Sequence, residues 1–196
     1  MKTIVIHEEY NISSDEIIDI MTNVHYYDYL VNVRDDIVSY EIKSFKKEED
    51  KIFMELTFQL LIKLPFFLTK LLSKLSKFEF TESIVYNLKD KTVDINVNSK
   101  SLKLTKCNYS YTYKLTDIGD NKTSKKCVFS YKCRLPIIGK RVEKVMSNNT
   151  KKQKKKDYDQ LSAYIKVKHL NNIQSINTTK EFPPPKKDNS FIVNSS

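Results

Sequence analysis

The stretch CRLPIIGKRVEKVM, residues 133–146, carries one of the two glycines in the chain, and the residue pattern changes on either side of it. Upstream, apolar and polar residues alternate with a period of two. Downstream, Val142, Val145 and Met146 fall on one stripe at helical spacing. Pro136 cannot donate to a sheet ladder, and Gly139 stands where the backbone must turn. A last strand feeding a closing helix is therefore expected here, and the rest of the chain can be assigned outward from it.

Working upstream, period-two patterns recur in IVSYEIKSF (37–45), KIFMELTFQLLI (51–62), FEFTESIVYNL (78–88), KTVDINVNSKSLKL (91–104), NYSYTYKLTDI (108–118) and KKCVFSYKCRL (125–135). They read as six successive strands. Polar turns separate them, among them GDNKTS (119–124), where Gly119 supplies the conformational freedom of a tight turn. One interruption, KLPFFLTKLLSKLSK (63–77), places Pro65 at a first helical position, with leucines at helical spacing behind it. It reads as a short amphipathic helix. Before the strands, KTIVIHEEYN (2–11) alternates as a further strand. SSDEIIDIMTN (13–23) then opens a helix with Ser13 or Ser14 as cap and acids in its first turn. VHYYDYLVN (24–32) continues as a second short helix or an aromatic turn.

Downstream, the helical pattern returns at Leu161, Tyr164, Ile165 and Leu170, but SNNTKKQKKKD (147–157) has no apolar face. Either one helix runs through it, exposed or facing a polar opening, or the helix breaks there. Beyond residue 170 the chain is polar, proline-containing and unperiodic, so residues 1–170 are expected to form one domain and 171–196 a disordered tail.

Composition sets further bounds. A chain of 196 residues, 40% hydrophobic, suffices for one core. No stretch approaches the roughly 20 apolar residues that span a bilayer, and acids interrupt the apolar start, so a cytoplasmic protein is expected. Three cysteines suit reduced thiols, and Cys127 and Cys133, on one strand about 20 Å apart, cannot bridge each other. The histidines are scattered, and no metal or cofactor motif is visible. The net charge is +10, and between Arg134 and Leu170 eleven Lys or Arg face three acids.

A strand, two short helices, six strands and a long closing helix define an α+β order. A curved antiparallel sheet of about seven strands must cover its concave face, and the last helix is the only long element left to do so. That is the helix-grip arrangement. In KLPFFLTKLL (63–72) and RLPIIGKRVEKVM (134–146) the chain resembles the SRPBCC superfamily of START-like domains, plant allergens and polyketide cyclases. Within it, the likeness is greatest to a family of unknown function in which an LP phrase precedes a short helix and a PliGgkiE-like phrase opens the last one. The resemblance spans roughly residues 1 to 170. It implies a cavity between sheet and helix that takes a hydrophobic or lipid-like molecule. The chain has no tryptophan, so Tyr86, Tyr109, Tyr111, Tyr113 and Phe129 would supply an aromatic lining.

The expected activity is non-catalytic binding of such a ligand, at Phe58, Phe80, Ile84, Tyr111, Phe129, Tyr131, Val142 and Met146. The same residues would also serve as plain core. Lys70, Lys74 and Lys77 with Phe66 and Phe67 make the 63–77 segment either a membrane-contact helix for transfer at anionic membranes or a lid with its lysines in water. Phospholipid transfer of the PRELI type is an alternative, as is a basic module for membrane or nucleic acid without a cavity ligand. No nucleophile stands beside a base at recognisable spacing, so an enzyme is not expected. Nucleic-acid binding has only its charge in favour, without a reading motif.

Overall fold

A computed structural model describes residues 2–61, 78–104 and 106–175. Seven strands, β1 (Lys2–Tyr10), β2 (Ile37–Lys47), β3 (Lys51–Leu60), β4 (Phe78–Asn87), β5 (Thr92–Asn98), β6 (Cys107–Gly119) and β7 (Lys122–Cys133), form one antiparallel sheet in the order β1-β7-β6-β5-β4-β3-β2. Consecutive strands β2 to β7 are neighbours. β1 instead pairs with β7, Lys2 facing Tyr131 and Tyr10 facing Thr123. The first two strands thus lie at opposite edges, and helices α1 (Ser14–Met21) and α2 (Val24–Val33) carry the chain between them.

Local chemistry fixes these helices. Ser13 caps α1 by accepting from the Glu16 N–H, and Asn23 caps α2 by accepting from the His25 N–H. The neighbouring Ser14 donates through both its N–H and its hydroxyl to Asp117, at 2.8 Å each, which fastens α1 to the end of β6. Those two bonds hold the Asp117 carboxyl below the usual carboxylate range. Gly119, at φ +147°, ends β6 after a register shift in the β6–β7 pairing, while the turn itself falls on Asp120 and Asn121, the latter at φ +56°.

Two further details differ from the sequence expectation. The strand expected over 91–104 ends at Asn98, and Lys100–Leu104 forms a short helix, α3. Ser99 explains the break: its hydroxyl accepts from the Leu102 N–H, capping a turn that the period-two pattern concealed. Gly139 does open the last helix, α4 (Gly139–Ser175), yet the unusual backbone belongs to Ile137, at φ +67°. What Gly139 provides is close approach, since a Cβ there would stand 2.9 Å from the Cys133 carbonyl oxygen.

α4 is a single helix of 37 residues, about 55 Å at 1.5 Å per residue, so the lysine-rich stretch does not break it. The chain divides into two compact units. Residues 1–164 carry the whole sheet, α1 to α3 and most of α4; residues 165–196 begin with the last turns of that helix. The helix expected over 63–77, with its contact residues Phe66, Phe67, Lys70, Lys74 and Lys77, lies outside the described residues, as does the tail from 176 onward.

Gly139→Ala should lower stability by about 1–3 kcal/mol in chemical denaturation, because the added methyl presses on backbone that cannot swing aside. A stability equal to or above that of the parent would contradict this account of the junction.

Candidate functional site

Alternation along the strands decides which side chains face α4. On β6 the inward set is Tyr109, Tyr111 and Tyr113; on β7 it is Cys127, Phe129 and Tyr131. These sets meet across the ladder as Tyr109 with Tyr131, Tyr111 with Phe129 and Tyr113 with Cys127. The first two ring pairs stack at 5.0 and 5.1 Å between centroids. Continuing outward, Ile84 and Tyr86 of β4 and Met54, Leu56 and Phe58 of β3 occupy the same face.

All eight candidate ligand residues fall on this face or on α4, in three groups. Tyr111, Phe129 and Tyr131 belong to the stacked aromatic wall. Phe80, Val142 and Met146 join a small cluster around Leu102 and Cys107 at one end. Ile84 lies mid-sheet opposite Met54, and Phe58 opposes Phe80 on β4 with its ring 6.1 Å from that of Tyr27.

Charged groups occupy the same interior. Lys154, from the polar middle of α4, reaches the sheet, with its ammonium 4.9 Å from the centre of the Tyr111 ring and 5.7 Å from that of Phe129. It also donates to Asp157 one turn on, at 2.8 Å. Asp157 in turn pairs with Arg34, which forks onto Asp36 at 2.9 Å through two nitrogens and onto Gln153 at 2.8 Å. Across the gap, Glu82 of β4 accepts from the Tyr111 hydroxyl at 3.0 Å. A second buried pair, Lys125 with Glu8 at 3.2 Å, sits under Tyr10, whose hydroxyl donates to Glu8 at 2.8 Å.

The electrostatics follow from depth and neighbours. Burial pushes the Glu82 carboxyl above the ordinary glutamate range, and Lys154 and Tyr111 offset this only in part. For Asp157 burial acts in the same sense, yet Lys154 and Arg34 together outweigh it and hold the carboxyl low. Burial alone would lower Lys154, but the Asp157 carboxylate beside it outweighs burial and keeps the ammonium protonated. Although Asp157 is this deep, solvent reaches 33% of its side chain, and 18% of that of Lys154. Both groups therefore remain within reach of water. Burial pushes the Tyr131 phenol up to about 12, and Thr150 and Tyr109 beside it offset this only in part.

The sheet order and single long helix define the helix-grip class. Residues 6–165 match the model of the family described as "Protein of unknown function (DUF2505)", and the chain belongs to that family. No curated protein matches it in sequence. Among solved structures, it is similar to the Zhui aromatase/cyclase from Streptomyces sp. R1128, with TM-score 0.60 and 5% identity over 83% of this chain and 92% of that one. A START superfamily protein from Mycobacterium smegmatis gives 0.55 and 11% over 84% and 97%. Norcoclaurine synthase from Thalictrum flavum gives 0.57 and 13% over 84% and 86%. At these identities the likeness concerns the fold.

Sequence reasoning missed the polar half of the interior: Lys154, Asp157, Arg34 and Glu82. A signal was present. Carrying the Val142 and Met146 stripe forward in steps of three or four lands on Thr150, Lys154, Asp157 and Leu161. Thr150, Lys154 and Asp157 interrupt the apolar stripe between Met146 and Leu161, so hydrophobic periodicity does not mark them as facing the sheet.

The Glu82 assignment has a signed consequence. Its folded pKa is raised, so its charge costs stability as pH rises from the unfolded value, about 4.3, through the folded one. Glu82→Gln should therefore gain stability relative to the parent at pH 7 and lose that advantage near pH 4. Thermal melts showing a difference that does not vary with pH would refute the assignment.

Proposed function

We propose that this chain binds, without chemical conversion, an elongated and mostly apolar molecule between its concave sheet face and α4. One anionic or strongly hydrogen-bond-accepting end of that molecule would sit at Lys154. The observation that carries this reading is that Lys154 reaches the aromatic wall, its ammonium 4.9 Å from the centre of the Tyr111 ring, while solvent still reaches 18% of its side chain. A protonated ammonium that has spent one donor on Asp157 and otherwise faces aromatic rings retains donor capacity for a ligand. The stacked Tyr109, Tyr111, Phe129 and Tyr131 rings offer flat apolar surface along the molecule's length, with Phe58, Phe80, Ile84, Val142 and Met146 extending it.

A second reading has one observation in its favour. Glu82, a carboxyl biased toward its protonated form beside Lys154, is the kind of acid that a cyclase-type proton transfer would use, and two of the similar structures bear cyclase and synthase names. Lys154 itself is a poor candidate for a covalent amine step, because its neighbours keep it protonated. The binding reading needs no further partner and is preferred.

Native mass spectrometry of the purified chain should show a stoichiometric small molecule, or else the protein should take up a fluorescent fatty acid. Lys154→Met should weaken uptake of that carboxylate probe about tenfold, the cost of one charge-assisted hydrogen bond, and leave an uncharged sterol probe nearly unaffected. Thr150→Trp, filling the space beside Tyr109 and Tyr131, should block both probes. A ligand-free chain that takes up neither probe would sink the proposal.

A further inference from the structure

At the end of the domain where β7 passes into α4, one residue is placed at a cost that the fold does not recover. Ile137 is fully exposed and β-branched, yet it holds φ +67°. The Ile138 N–H donates to the Pro136 carbonyl at 2.7 Å across it, which makes the segment a γ-turn of the strained kind. Its neighbours Leu135 and Ile138 pack on the Leu102, Cys107 and Val142 cluster, so the turn is anchored on both sides and Ile137 projects outward. Such a backbone costs a side-chain-bearing residue free energy, and the Ile137 side chain returns none by burial.

Beside this tip lies a half-open depression of about 630 Å³. Among the described residues Lys103, Lys106 and Arg134 line it together with Asn96, Asn98 and Asn108, and no carboxylate does. The three cations are tied to one another through the backbone. The Lys106 N–H donates to the Lys103 carbonyl at 3.1 Å, the Arg134 N–H donates to the Lys106 carbonyl at 3.0 Å, and Lys106 is itself held at φ +48°. None of the three forms an ion pair among the described residues, and exposed Lys132 and Lys140 flank the turn. The one acid nearby in sequence, Glu143, is turned inward, accepting from the Cys133 N–H at 2.9 Å.

We infer that this end of the domain docks on the surface of an anionic phospholipid membrane, with Ile137 entering the interface and a headgroup phosphate held in the depression by Lys103, Lys106 and Arg134. Charge complementarity selects an anionic partner, since the depression offers cations and amide donors without a carboxylate. The protruding aliphatic residue selects a lipid surface over a nucleic acid, because single-stranded binding would call for exposed rings and, among the described residues lining the depression and the turn, no aromatic ring is exposed. This inference goes beyond ligand binding and holds whether or not the interior is occupied. It also places the lipid contact on residues other than the 63–77 segment singled out in the sequence.

The test is sedimentation of the full chain with phosphatidylcholine vesicles, with and without phosphatidic acid, at about 0.15 M salt. The parent should bind only the anionic vesicles. Ile137→Asn, a residue that tolerates the left-handed region, should keep the fold and bind about tenfold more weakly, the worth of one buried aliphatic side chain. Lys103→Gln, Lys106→Gln and Arg134→Gln together should weaken binding about a hundredfold. Fatty-acid uptake in vesicle-free solution should be unchanged in both variants, which separates this inference from the binding proposal. Parent-like sedimentation of both variants, equal binding to neutral vesicles, or binding of single-stranded DNA in place of vesicles would overturn it.

Discussion

The structure depends on how the polar middle of α4 is held over the sheet. The centre of the 37-residue helix, SNNTKKQKKKD, offers the concave sheet no apolar residue, unlike the buried Val142 before it and Leu161 after it. Arg34, fixed at the end of α2 by Asp36 and Gln153, supplies a polar tie by pairing with Asp157, and Asp157 then positions Lys154. Arg34 retains only 9% of its side-chain exposure, so these charges are largely withdrawn from water. Such pairs add little net stability compared with apolar packing, but breaking one strands its partner and costs about 3–5 kcal/mol. The network therefore acts mainly on placement. It ties the middle of α4 to the end of α2 and turns Lys154 toward the Tyr111 and Phe129 rings.

The aromatic content belongs to the same arrangement. None of the twelve tyrosines is exposed. Tyr10 packs against Tyr158, and Tyr26 and Tyr29 pack against Tyr164, so rings clamp the turns of α4 that follow the ion network. Tyrosine suits an interior of this kind because each ring gives apolar area and each hydroxyl can meet a polar neighbour, as Tyr111 meets Glu82 and Tyr29 meets Gln160. Where a leucine-rich core would exclude charge, this one accommodates Glu8, Lys125, Glu82 and Lys154.

The fold was legible because its evidence is periodic. Alternation from Ile37 to Cys133 located β2 to β7, the capping serines located α1, and the Pro136 to Gly139 phrase located the start of α4. The site was legible only in its apolar part, for a physical reason: a strand pattern shows which residues share a face but not which groups cross the gap to meet them. Lys154 looks like its neighbours Lys152 and Lys155 in sequence, and only the Arg34 to Asp157 contact, across 123 positions, turns it inward. Lys100–Leu104 was hidden for a similar reason, since the Ser99 cap interrupts the alternation without a glycine or proline to mark it.

Site-resolved acetylation of the lysines between 151 and 156, read by tandem mass spectrometry, tests the central claim most directly. The account predicts fast labelling of Lys151, Lys152 and Lys155, which are exposed, and much slower labelling of Lys154, which is held between Asp157 and the Tyr111 ring. Asp157→Asn should bring Lys154 toward the rate of its neighbours. Lys154 labelling as fast as Lys152 and Lys155 in the unaltered chain would mean that the polar middle of α4 faces solvent, and the interior site would fall with it.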